Sequence, residues 1–125
     1  MDRRGREVIG TLPCRRYLLA ARNYDRFLQS YWETVQSISP GHVSLVASTD
    51  HGRGFGVEWR DHGEKIAGAE GIWIAVMGPR VAALGERTGV EPVTQSEVAA
   101  SVAALAGEDY AGAVTKAGKS LPFGR

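Results

Sequence analysis

The sequence holds a single cysteine, Cys14. That excludes an internal disulfide and a cysteine-rich zinc site. A chain without disulfides is not built for an oxidising compartment, so a cytoplasmic location is expected. Long apolar runs are also missing. Nothing reads as a transmembrane span, and the basic N-terminus is not followed by the hydrophobic stretch of a signal peptide. Charge of one sign is not in excess either. Lys and Arg number 15 and Asp and Glu number 14, for a net charge of +1. The global charge therefore points to neither nucleic acid nor a membrane surface as a partner. Only the first sixteen residues are locally basic, with Arg3, Arg4, Arg6, Arg15 and Arg16, and these read as a solvated chain end.

What is present suits one domain with a modest core: 125 residues, 43% of them hydrophobic. Residues 1–16 read as an irregular segment, broken by Gly5, Gly10 and Pro13. Tyr17, Tyr24, Leu28, Tyr31, Val35 and Ile38 then recur at helical steps, and Leu18, Phe27 and Trp32 widen the stripe. The spacing predicts an amphipathic helix with one buried face, ended by Ser39-Pro40-Gly41. "HVSLVAST" (42–49) and "GIWIAVMG" (71–78) are short, nearly uncharged and largely apolar, as strands of a parallel sheet buried on both faces would be. A weaker helical piece is expected over Val81 to Glu86. Thr94 and Glu97 have capping-box spacing, and Val98, Val102 and Leu105 line a last helix that Gly107 stops. Residues 108–125 read as loop or tail. The element order indicates an α/β layered domain with a partly parallel sheet.

Between the two strands lies "TDHGRGFGVEWRDHG", Thr49 to Gly63, where Asp-His-Gly occurs twice. Neutral imidazole and carboxylate together suit zinc, manganese or iron. Asp50 and His51 would sit at a strand end, where Gly52 and Gly54 let the backbone turn, and His62 could fold back beside them. The glycines would also let backbone amides approach a phosphate or sulfate. The plainer reading is that Asp and Gly are turn residues and the histidines belong to a loop. Gly52-x-Gly54-x-Gly56 is not a dinucleotide fingerprint, since no helix opens after it. Elsewhere, Cys14 beside Arg15 and Arg16 lacks a neighbouring base, Ser96 reads as a capping participant, and His42 has no partner in sequence. Tyr24, Tyr31 and Trp32 read as core. Trp59 could wall the loop, and Glu58, Asp61 and Glu64 are further carboxylates near the histidines.

The ordered series "STDHGRG", "WRDHG", "AGAEGIWIAVMGP" and "TQSEVAASVAALAGEDY", preceded by "RNYDRFLQSYWETVQS", resembles the C-terminal part of the alkaline phosphatase superfamily. That superfamily includes type I phosphodiesterases, sulfatases and cofactor-independent phosphoglycerate mutases. The resemblance covers residues 17–122 and implies part of a three-layer sandwich with a mostly parallel sheet and flanking helices. It also implies a divalent metal, Zn2+ or Mn2+, from a two-metal centre that is incomplete here. Asp50 and His51 match the pair on one metal, and His62 matches a histidine on the other, while Asp61 matches no family ligand. In the family, two ions clamp the attacking and leaving oxygens of an in-line phosphoryl or sulfuryl transfer. The sequence departs from the pattern in three ways. No residue matches the family's early strand-end Asp or its Ser or Thr nucleophile, and the expected Asp-x-x-x-His element is replaced by "GREVIGTLPCRRYL". The resemblance therefore implies a fragment of a metal-dependent phosphoric or sulfuric ester hydrolase, inactive alone. The alternative is a non-enzymatic remnant that at most binds metal or a partner chain. An incomplete sheet would leave an open edge for self-association.

Overall fold

The computed structural model describes residues 12–123 of the chain. It divides into two compact units, Met1–Pro40 and Gly41–Arg125.

In the first unit, α1 runs from Leu12 to Ile38. Pro13 lies in its first turn, where a missing backbone N–H breaks no helical bond, so the helix begins ahead of the apolar stripe. Ser39 N–H still donates to Val35 O at 2.9 Å, and Gly41 then takes φ +74°. The expected buried face is not buried. Tyr24 is 71% exposed and Ile38 75% exposed, and Tyr17, Leu18, Phe27 and Tyr31 are exposed as well. Periodicity fixes which residues share a face of a helix, but it does not supply the surface that covers them.

The second unit is built on β1 (Leu45–Ser48) and β2 (Ile74–Met77). They pair antiparallel, with Leu45 opposite Met77 and Ser48 opposite Ile74. This corrects the expected α/β architecture: among the described residues there is a two-stranded antiparallel sheet and no parallel sheet or three-layer sandwich. A parallel pair needs a crossover, usually a helix. Residues 49–73 contain only one 3₁₀ turn, Gly56–Glu58, and the chain returns antiparallel. The apolar strand sequences also suggested two covered faces. In β2, however, Ile74 and Val76 are half-buried while Ala75 and Met77 are exposed. That is the alternation of a sheet covered on one side only.

After β2 no helix forms over 81–86. Gly85 takes φ +66°, and Ala82 N–H donates instead to Phe123 O at 3.1 Å. α2 spans Ser96–Ala106. Its predicted start is half realised: Glu97 Oε2 accepts from Thr94 N–H at 2.6 Å, while the Thr94 hydroxyl turns to Ser96 Oγ, also at 2.6 Å. Its end follows the prediction. Gly107 is left-handed at φ 91°, and Glu108 N–H returns to Ala103 O at 2.9 Å. A single turn, α3 (Tyr110–Ala113), follows, with the Asp109 side chain accepting from Gly112 N–H. Its four residues carry too little periodicity to be read beforehand.

The core is small. Among the described residues, Ala69, Ala100 and Ser101 are the buried ones with side chains, and Ser101 is wholly enclosed. Its hydroxyl donates to Glu97 O at 2.7 Å and accepts from Leu121 N–H at 2.9 Å, tying α2 to the irregular C-terminal segment. Ser101→Ala removes the acceptor of the half-buried Leu121 N–H, and loss of such a hydrogen bond costs about 0.5–1.5 kcal/mol. Urea unfolding should show a lower midpoint with an unchanged slope; an unaltered midpoint would contradict the role given to this hydroxyl.

Candidate metal centre

The site lies wholly in the second unit. It begins where β1 stops. Gln95 Nε2 donates to the carbonyls of Asp50 (2.6 Å) and Thr49 (3.1 Å), so the start of α2 holds the loop where it leaves the strand. Ser48 Oγ donates to Trp73 O at 2.9 Å and closes the far end. Gly52 N–H donates to Ala69 O at 2.7 Å, and Gly54 N–H to Asp61 O at 3.0 Å. The second bond folds the "WRDHG" segment back against the first Asp-His-Gly. Glycine is required at Gly52, because a Cβ there would run into the carbonyls of Gly68 and Gly71.

This folding brings His62 onto His51. The two rings stack with centroids 4.1 Å apart and planes inclined by 19°. Asp50 Oδ2 is 3.5 Å from His51 Nε2. The three residues singled out in the sequence are thus brought together. His42, by contrast, is exposed ahead of β1, and Glu58, Asp61 and Glu64 are exposed loop residues. Trp59 carries the Arg60 guanidinium 5.2 Å from its ring centroid. Ser96 opens α2, but its hydroxyl meets the Thr94 hydroxyl and caps no backbone N–H.

The hydrogen bonds settle which atoms are available. His51 Nδ1 lies 2.8 Å from Gly52 O. A carbonyl can only accept, so Nδ1 carries the proton and donates. In the neutral ring the lone pair is then on Nε2, the arrangement in which histidine binds metals. Asp50 Oδ1 accepts from His51 N–H at 3.0 Å, which leaves Oδ2 directed at Nε2. Two lone-pair atoms facing each other repel unless a cation, either a proton or a metal ion, lies between them. Two ligands of a tetrahedral zinc ion, each at ~2.0–2.1 Å, are about 3.3 Å apart. The observed 3.5 Å is close to that spacing. The pair is also reachable, with the side chains of His51 and Asp50 35% and 85% exposed. Among the described residues, no three His, Cys, Asp or Glu converge on one point. The pair therefore fits an ion as two donors, with His62 beside them rather than as a third.

Asp50 and His51 also wall a cavity of about 450 Å³ with Glu70, Ile72, Thr94 and Gln95. Glu70 Oε2 accepts from Gly68 N–H at 2.9 Å and shapes the turn opposite Gly52. Neither Glu70 nor Gln95 was readable from the loop motif. Gln95 lies 45 residues from Asp50, and no local pattern links them. Comparison of the chain with family models, curated proteins and solved structures finds no match in any of the three.

The arrangement predicts an NMR signature. Wild-type protein should show nuclear Overhauser contacts between the His51 and His62 ring protons. Gly52→Ala should abolish them, because the loop must open to admit the methyl group. Persistence of the contacts in that variant would show that the stack does not depend on the Gly52 turn.

Proposed function

We propose that the loop from Asp50 to His62 is a divalent-metal site of the two-metal ester-hydrolase kind, with Zn2+ or Mn2+ as the ion and a phosphoric or sulfuric ester as the substrate class. The observation that carries this reading is the Asp50 Oδ2–His51 Nε2 spacing of 3.5 Å, combined with Nδ1 committed to Gly52 O. The ordered motif series supports the substrate class. A bound ion would supply Lewis-acid stabilisation of the charge that develops on a transferring group. The chain's own residues orient the donors: Gly52 O fixes the His51 tautomer, and Gln95 holds the Asp50 backbone. No residue here corresponds to the family's nucleophile, so turnover requires groups from another segment.

A second reading is a non-enzymatic remnant that binds a metal or a partner chain. The small core favours it, as does a two-stranded sheet whose outer edges are both open to a further strand among the described residues.

Calorimetric titration with Zn2+ and Mn2+ tests the metal site. The proposal expects one ion per chain, bound in the micromolar range. Asp50→Asn, His51→Ala and His62→Ala should each weaken it roughly tenfold or more, as loss of a ligand or its support does. Binding indifferent to all three substitutions, or no binding, would overturn the metal reading. Hydrolysis of an aryl phosphate or sulfate by the isolated chain should stay at background in either case.

A further inference from the structure

We infer that α1 is a self-association helix that pairs antiparallel with α1 of a second copy of this chain. The inference goes beyond the metal-site reading and does not rest on it. Tyr17, Tyr24, Tyr31 and Ile38 recur every seven residues, and Ala21, Leu28 and Val35 recur every seven between them. This is a 3.5-residue period sustained along a 27-residue helix, the period of a coiled-coil seam, with Leu18, Phe27 and Trp32 broadening its flanks. The first four form one row of the seam (d) and the other three form its companion row (a). The b and c positions, on either side of the face opposite the seam, hold only Arg, Gln, Asn and Ser, and the f position between them holds Leu19, Arg26 and Glu33.

The seam is open. Tyr24, Tyr31 and Ile38 are exposed, and Phe27, which stacks on Tyr31 with centroids 6.2 Å apart, is 61% exposed beside them. An aromatic side chain buries roughly 150–250 Å² when fully covered, so these side chains and their neighbours offer several hundred Å² per copy. That approaches the roughly 800 Å² per partner of a stable interface.

Side-chain size selects the orientation. A parallel pair would place tyrosine against tyrosine in three layers and alanine against alanine in another, alternately overfilling and underfilling the seam. With the helices antiparallel and fully overlapped, each d residue faces an a residue. Tyr31 then meets Ala21, Tyr24 meets Leu28 and Tyr17 meets Val35, so every layer combines a large side chain with a smaller one. Charge selects the same orientation. Arg15, Arg16 and Arg22 crowd the N-terminal half, beside the positive end of the helix dipole. Antiparallel pairing lays that end against the partner's negative C-terminal end and Glu33, whereas parallel pairing stacks two basic ends. The one charge flanking the seam is Asp25, near the two-fold axis, and it weakens the pair without changing its direction.

Two measurements on the 125-residue chain test the inference, both with chelator present so that metal bridging plays no part. Sedimentation equilibrium across the micromolar range should give a dimer. Leu28→Glu should weaken it roughly a hundredfold or more by burying a charge, while Gln29→Glu on the polar face should leave it intact. A nitroxide on Arg16→Cys in a Cys14→Ser background reports orientation. Antiparallel overlap offsets the two labels by roughly 30 Å along the axis, from twenty residues of helical rise. A monomer at every concentration, a dimer indifferent to Leu28→Glu, or labels with no axial offset would overturn it.

Discussion

The antiparallel closure of β1 on β2 is the constraint on which the site depends. Ser48 sits opposite Ile74, and its hydroxyl also reaches Trp73 O. The ends of the intervening loop are thereby held side by side. Every later contact of the loop is short in reach once this is done: Gly52 to Ala69, Gly54 to Asp61, Glu70 to Gly68. Without the pairing, His62 would have no reason to return to His51. The loop-closure cost is met by strand pairing and by the α2 start, where Gln95 grips two carbonyls of the same turn. The histidine stack is a consequence of that frame, not its cause.

Much of the local structure was legible because each signal is local. Pro40-Gly41 ends α1, and Gly107 ends α2 in a left-handed cap. The apolar runs around Leu45 and Ile74 become strands. Strand direction was not legible. Leu45 to Ser48 has the same composition whether its neighbour runs parallel or antiparallel, and only the contents of residues 49–73 decide it. A near-continuous apolar strand suggested two covered faces, yet the alternation from Ile74 to Met77 shows one. Likewise, the stripe from Tyr17 to Ile38 identified a face of α1 but not what lies on it.

The same division holds at the site. Asp50, His51 and His62 were legible because the tripeptide repeats and glycines flank it. The commitment of Nδ1 to Gly52 O, which frees Nε2, is a matter of loop geometry that no spacing encodes. Gln95 and Glu70 act through contacts with distant backbone and leave no motif. The two conclusions about this chain therefore stand on separate parts of it. One concerns donors fixed by a loop in the second unit, and the other concerns the heptad period of α1 in the first.

The central claim is that His51 Nε2 and Asp50 Oδ2 hold a divalent ion. X-ray absorption at the zinc edge of the zinc-loaded chain tests it most directly. The account predicts a nitrogen and oxygen shell at ~2.0–2.1 Å with outer-shell scattering from imidazole. That imidazole scattering should be lost in His51→Ala. A shell of oxygen alone, or imidazole scattering that survives His51→Ala, would contradict it.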